Sequence, residues 1–100
     1  MSLDPAAITR ETAAMGGRYA YRLDGVEAEM TYADTGRGVW VIDHTLVPDA
    51  FRGLGVGAAL VARGVADARA AGVRILPLCS FAAAQFRRHP EWSDILETQP

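Results

Sequence analysis

The stretch Arg52-Gly53-Leu54-Gly55-Val56-Gly57 constrains this chain more than any other. Three glycines alternate within it, behind an arginine, and it joins two segments of different period. Upstream, residues 39–47 alternate and predict a strand, which Pro48 ends. Downstream, residues 58–71 predict a helix, with Gly57, Leu60, Val61, Gly64, Val65 and Ala68 on one core-facing stripe. Gly57 and Gly64 lower helix propensity, which points to close backbone packing at both positions. Gly72 supplies a C-terminal stop, and residues 73–79 read as a buried strand. A strand, crossover helix and strand of this length pair in parallel. Pro77 falls inside the second strand and cannot donate to a ladder. That strand is therefore an edge, or it parts from its neighbour near Pro77.

The segment before this unit predicts an antiparallel sheet. Tyr19, Tyr21 and Leu23 alternate with polar or small residues, and so do Val26, Ala28 and Met30. Asp24-Gly25 between them is a two-residue hairpin signal. In that register Arg22 faces Glu27 and Tyr19 faces Met30. A second turn, residues 34–38, leads into the strand at 39–47. Simple alternation puts Val39, Val41, Asp43, Thr45 and Val47 on one face, and Trp40, Ile42, His44 and Leu46 on the other. Asp43 and His44 then point apart. Four strands result, antiparallel at first, with a parallel pair around the long helix: an α/β (α+β) class with a mixed sheet. Residues 1–16 are weakly patterned. Asp4-Pro5 suits a short capped helix, and an extended, loosely ordered segment suits the composition equally. Ser80 is a candidate cap for a short helix ending at His89-Pro90, with Ala82, Ala83 and Phe86 facing inward. Trp92 and Ile95 are candidate anchors for the tail.

One hundred residues fit a single domain, residues 1–100, and allow a real core. No apolar run approaches the ~20 residues of a membrane span. A single cysteine, Cys79, excludes an intramolecular disulfide framework, and two histidines far apart make no metal site. The default compartment is the cytoplasm. A net charge of −2 predicts no strong field for nucleic acid or anionic membrane. The basic residues are all arginine, so Schiff-base chemistry on lysine is absent. The sequence accommodates either a monomer or a homodimer.

A strand, a glycine turn and a helix start gather unpaired N–H groups and the positive end of a helix dipole, a site for phosphate or pyrophosphate. Three phosphate-loop patterns compete. A P-loop needs Gly-Lys-Ser/Thr, but Ala58-Ala59 follows Gly57. A dinucleotide fingerprint needs G-x-G-x-x-G and an acidic residue ending the next strand, but here Cys79-Ser80 ends it. The third pattern, Arg/Gln-x-x-Gly-x-Gly/Ala, fits Arg52, Gly55 and Gly57. It resembles the acyl-CoA turn of the GNAT acetyltransferases. His44-Thr45-Leu46-Val47, Pro77-Leu78-Cys79-Ser80-Phe81 and His89-Pro90-Glu91-Trp92 look like the small YjdJ-type branch of that superfamily, and the Asp24-Gly25 hairpin is similar too. The resemblance covers residues 18–95.

The resemblance implies a compact GNAT-like fold and acetyl-CoA as cofactor. It implies that Thr45, Leu46 and Val47, ending their strand, offer backbone groups to the pantetheine arm. The N–H groups of Gly53, Leu54, Gly55, Val56 and Gly57, with Arg52 beside them, would hold the pyrophosphate. The two parallel strands spread to admit the arm, and Pro77 suits that gap. Two departures stand out. Larger members carry helices between their first strands that wall the acceptor site, and this chain has only Asp24-Gly25 there. Many members also place a tyrosine on the last helix to protonate the leaving thiolate, and Phe86 aligns with it.

Acyl transfer to an amine needs proton removal from the amine, polarisation of the carbonyl and protonation of the thiolate. His44 is the base candidate, because an imidazole ordinarily titrates near neutrality. Its bland alternative is a strand-end ring packed beside Trp40. Cys79 is a candidate to contact the acetyl end, as general acid or nucleophile, and its bland alternative is a small buried hydrophobe. His89 reads as a helix-end cap, Arg87-Arg88 as solvated charge with contact to the CoA 3′-phosphate as the alternative, and Trp40 and Phe51 as anchors. The implied function is acetyl-CoA-dependent N-acetyl transfer to an amine acceptor. A CoA- or acyl-CoA-binding module without catalysis competes with it, as does an interaction domain whose glycine turn serves packing alone.

Overall fold

The computed structural model describes residues 3–98. Five strands form one sheet in chain order: β1 (Thr9–Ala13), β2 (Gly16–Leu23), β3 (Val26–Asp34), β4 (Val39–Leu46) and β5 (Arg74–Pro77). The first four are antiparallel to their neighbours, and β5 runs parallel to β4. Helix α1 (Val56–Ala71) makes the crossover, and α2 (Ser80–Arg88) follows β5. No helix among the described residues is long and apolar enough to cross a membrane.

The hairpin of β2 and β3 forms in the predicted register, with Arg22 opposite Glu27 and Tyr19 opposite Met30. Asp24 and Gly25 both take positive φ, 53° and 78°. That is the geometry a two-residue turn needs to follow the strand twist. Tyr19, Tyr21, Met30, Tyr32 and Ile42 point to the inner face. There they meet Leu60, Val61, Val65 and Ala68 of α1. Gly64 explains how closely the helix lies, since a methyl there would stand 3.0 Å from Met30 Cε. Gly72 closes α1 in a left-handed conformation, and Val73 N–H donates back to the Ala68 carbonyl.

The N-terminal segment departs from its loose reading. Asp4 caps a 3₁₀ turn at Pro5–Ala7, and β1 then adds a fifth strand beside β2. Arg10 is the reason. It turns inward, stands 4.9 Å from the Trp40 ring and donates to Tyr32 Oη, while Asp67 of α1 lies 3.6 Å away. Asp67 also accepts from Tyr19 Oη at 2.8 Å, and Arg63 donates to the Ile8 carbonyl. These polar ties hold a strand with almost no apolar face. At the far end of the chain, Trp92 and Ile95 are buried as expected, and a 3₁₀ segment at Pro90–Ile95 packs Trp92 edge-on to Phe86.

The faces of β4 also differ from simple alternation. Tyr32 pairs with Ile42 but Thr31 pairs with His44, so Asp43 is an extra residue in a β-bulge. Beyond it the faces exchange. Thr45 joins Met30 on the inner side, while His44 and Leu46 join Thr31 and Glu29 on the outer side. Asp43 accepts from Thr31 Oγ1 at 2.6 Å, so it shares that outer side. Asp43 and His44 therefore stand together rather than apart, and His44 lies across the sheet from Trp40.

Candidate functional site

The glycine turn leaves a 3₁₀ turn at Asp49–Phe51 and enters α1 with Gly55 as its N-cap. Gly53 and Gly55 take φ of 81° and 75°, where an L side chain is strained, and a methyl on either would project into open space. Phe51 and Val56 sink into the core and pin the two ends of the turn. The N–H groups of Gly53, Gly55, Val56, Gly57 and Ala58 have no hydrogen-bond acceptor among the described residues. Leu54 N–H is spent on the Phe51 carbonyl. Leu54 and Val56 direct their side chains to the protein, so only backbone is offered here. A surface cavity of about 300 Å³ opens beside these groups, with Val47 on its wall.

Gly57 has a different duty from Gly53 and Gly55. A methyl there would lie 2.6 Å from Phe81 Cζ and 3.3 Å from Val47 Cγ2. It keeps α1, α2 and the end of β4 close, rather than sparing a ligand. Arg52 is exposed, pairs with Asp49 at 3.1 Å and lies on the cavity rim.

Val47 and Phe81 on the cavity wall lie two residues past Thr45 and Cys79, which face each other where the parallel strands part. Their ladder ends at Ile42 and Pro77, and no residue of β4 past Ile42 has a β5 partner. The Ile42 carbonyl accepts from both Leu78 N–H at 3.0 Å and Cys79 N–H at 3.2 Å. Leu78 N–H serves the ladder here, so the missing N–H of Pro77 costs no bond. The bulge at Asp43 begins one residue later, and it bends β4 away.

Cys79 lies at this split. It, rather than Ser80, caps α2: its Sγ accepts from Ala82 N–H at 3.4 Å. The same Sγ stands 3.4 Å from Thr45 Oγ1, across the gap between the strands. His44 lies on the other side of β4, with 52% of its side chain exposed and Nε2 3.7 Å from Glu29 Oε2. The fold thus does not join the two candidate catalytic residues; it sets them on opposite faces of one strand. Leu46 is exposed beside His44. Around them the outer face is a charge lattice, in which Arg18 binds Glu11, Glu27 and Glu29. The hydrogen bond from Arg18, with that from Arg22, holds the Glu27 carboxyl below the usual range.

The sequence reading passed over Thr45 as a side-chain partner of Cys79, Glu29 as the partner of His44, and Gln85 as cavity lining; Arg88, read as solvated charge with a phosphate contact as its alternative, lines the cavity too. Phe81, Gln85 and Arg88 are spaced i, i+4, i+7, a helical face visible in the sequence once α2 is placed against the turn. Phe86, on another face, is buried against Trp92. His89 caps α2 as expected and stacks on Trp92 with centroids 4.0 Å apart. No group of three or more potential metal ligands exists among the described residues.

A turn of free N–H groups beside a split between parallel strands suits a long ligand with phosphates at one end. Residues 18–95 match the GCN5-related N-acetyl-transferase family. The chain is also similar to the NMR solution structure of a GCN5-like N-acetyltransferase candidate from Staphylococcus aureus, at 26% identity and a TM-score of 0.72, covering 95% of this chain and 93% of that one. No curated protein matches it significantly. The matched span holds the hairpin, the bulge, the glycine turn, the split and α2, so the features of the site lie within the shared region: this chain belongs to the GCN5-related N-acetyltransferase family.

Proposed function

We propose that this protein binds acetyl-CoA and transfers its acetyl group directly to an amine. The observation that carries the reading is the row of free N–H groups at the glycine turn, next to a parallel strand pair that opens at Ile42. In this reading Gly53, Gly55, Val56 and Gly57 hold the pyrophosphate through backbone, with Arg52 at the rim. Thr45, Leu46 and Val47 receive the pantetheine arm in the split. The residues fit: the turn is concave, all-donor and kept free of side chains, and a cavity of about 300 Å³ lies before it. When bound, acetyl-CoA supplies an activated thioester.

The protein's own groups then divide the work. His44, oriented by Glu29, takes a proton from the attacking amine on the outer face. Backbone N–H groups of β4 past the bulge polarise the carbonyl oxygen. Cys79 returns a proton to the departing sulfur on the inner face, with Thr45 holding its thiol. The open outer face admits an amine on a small molecule or a peptide, and the four sequence blocks favour the YjdJ-type branch. A cytoplasmic setting suits a working free thiol.

One observation favours a second reading, an acyl-CoA-binding module without catalysis. Phe86 puts no hydroxyl at the last helix, and its ring is committed to the core. A thiol-release assay with acetyl-CoA and a panel of amines separates the two. Release that depends on an amine supports transfer. CoA-dependent thermal stabilisation without release supports the module, and no stabilisation at millimolar CoA refutes both.

A further inference from the structure

Gln85 is the one buried polar side chain among the described non-aromatic residues, 6% exposed. Its side-chain amide makes no hydrogen bond with any described residue, yet none of its polar atoms is sealed from solvent. The residue lines the cavity at the glycine turn. Its stem is therefore buried and its amide opens into the space before the turn. An amide that opens into a cavity is hydrated there, so a ligand group that displaces this water must replace its hydrogen bonds.

The chemistry of that group follows from the rest of the lining. The turn presents only N–H donors, and Arg52 and Arg88 add two cations at the rim. These groups suit phosphate oxygens. Gln85 differs from them because it offers an acceptor, Oε1, as well as donors. A phosphate oxygen would repel Oε1, whereas an amide satisfies both halves of the side chain. Phe81, one turn before Gln85 on α2, packs on Gly57 and Val47 and gives that part of the wall an apolar surface.

We propose that Gln85 is the specificity-determining residue of this cavity, pairing with an amide of the ligand's arm while the turn holds its phosphates. The site then discriminates acyl carriers with an amide-bearing arm from bare nucleoside diphosphates. This inference rests on the cofactor reading above and adds to it the residue that selects the arm.

Titration calorimetry of the wild type, Gln85→Met and Gln85→Glu with CoA and with ADP tests it. Methionine keeps the length of the side chain without the amide; glutamate keeps an acceptor and loses the donors. The expected result is that Gln85→Met binds CoA about 3–10-fold more weakly, the worth of one net hydrogen bond, and binds ADP as the wild type does. Its melting temperature without ligand stays equal, because the amide makes no hydrogen bond within the protein; a structural role would lower it. Gln85→Glu is weaker still for CoA. CoA affinity unchanged in both variants, or CoA and ADP weakened alike by Gln85→Met, which adds no charge, overturns the inference while leaving the turn as a phosphate site. A wild type that binds neither ligand overturns the cofactor reading, and this inference with it.

Discussion

Gly55 allows the electrostatic part of the site to be measured apart from its shape. The residue has φ of 75° and open space where a side chain would go. Aspartate and asparagine are the residues that tolerate this conformation best, and they are nearly isosteric. Gly55→Asp and Gly55→Asn should therefore fold with similar stability, within about 0.5 kcal/mol of each other. Only the first adds a charge to the turn. With CoA at 100 times its Kd, the wild type gains about 2.7 kcal/mol. That is roughly 10–20 °C in Tm for a domain of this size. A carboxylate about 4 Å from a phosphate charge, at an effective dielectric constant near 20, costs about 4 kcal/mol. Affinity then falls roughly 10³-fold, and less than ~0.1 kcal/mol of stabilisation remains at the same CoA concentration. The asparagine displaces about one hydrogen bond, worth about 1.4 kcal/mol, and keeps roughly half the shift. Differential scanning fluorimetry across CoA concentrations reads both. Raising the salt to about 1 M should narrow the gap between the variants, because the screening length falls to about 3 Å. Equal losses in the two variants, or a full CoA shift in Gly55→Asp, would refute the assignment of phosphate to this turn.

Cys79→Ala should lower turnover in the thiol-release assay by about 10²–10⁴-fold if the thiol is the general acid, and it should cost about 1 kcal/mol of stability through the lost cap. Cys79→Ser keeps the cap and separates the two effects; unchanged turnover in Cys79→Ala would leave the residue a cap alone. His44→Gln should lower kcat by about 10²-fold or more while CoA binding stays at the wild-type value, since His44 lies across β4 from Cys79 and away from the cavity; weakened CoA binding would contradict that placement. Burial, with Asp67 as acceptor, raises the Tyr19 hydroxyl above its ordinary pKa. A raised value means stability that is present below about pH 10, the unfolded pKa, and lost as pH climbs toward the folded one. Tyr19→Phe should be less stable at neutral pH by about 1.5–3 kcal/mol, with a flatter stability profile above pH 10; parallel profiles would refute it. Gly64→Ala should be neutral or stabilising, because up to about 1 kcal/mol of helix propensity is gained and only the flexible tip of Met30 must yield, whereas Gly64→Leu should cost about 1–3 kcal/mol in urea unfolding.

Much of this fold is legible because local and tertiary signals agree. The Asp24-Gly25 turn, the alternation around it and the Arg22–Glu27 pair all specify one register, and that register is observed. The stripe on α1 and its glycine stop are equally local. Strand β1 was hidden for the opposite reason: what holds it is Arg10 among three rings and Asp67, contacts to residues 19, 32, 40 and 67 that no window around residue 10 contains. The faces of β4 went astray through a single residue. A bulge at Asp43 leaves no mark in an alternating pattern, yet it carries His44 to the other side of the sheet. In the candidate site, the turn and the split were foreseeable from glycine and proline. Gln85 was not, because its meaning depends on burial without a partner, which only the assembled structure reveals.

The bulge has a consequence for how the two faces of this sheet can diversify. By inserting one residue, the bulge shifts the parity of β4: Ile42 and Thr45, three apart, both look toward the helix layer, while the adjacent Asp43 and His44 both look outward. Under the proposed function, recognition of the acyl carrier and recognition of the acceptor would fall on two surfaces that share a backbone but almost no side chains. On that proposal, substitutions on the outer lattice of β2, β3 and β4 should change acceptor preference while leaving the Thr45–Cys79 contact in place. Deletion of Asp43 would restore plain alternation and leave His44 outward and Thr45 inward, removing the bend of β4 without exchanging its faces.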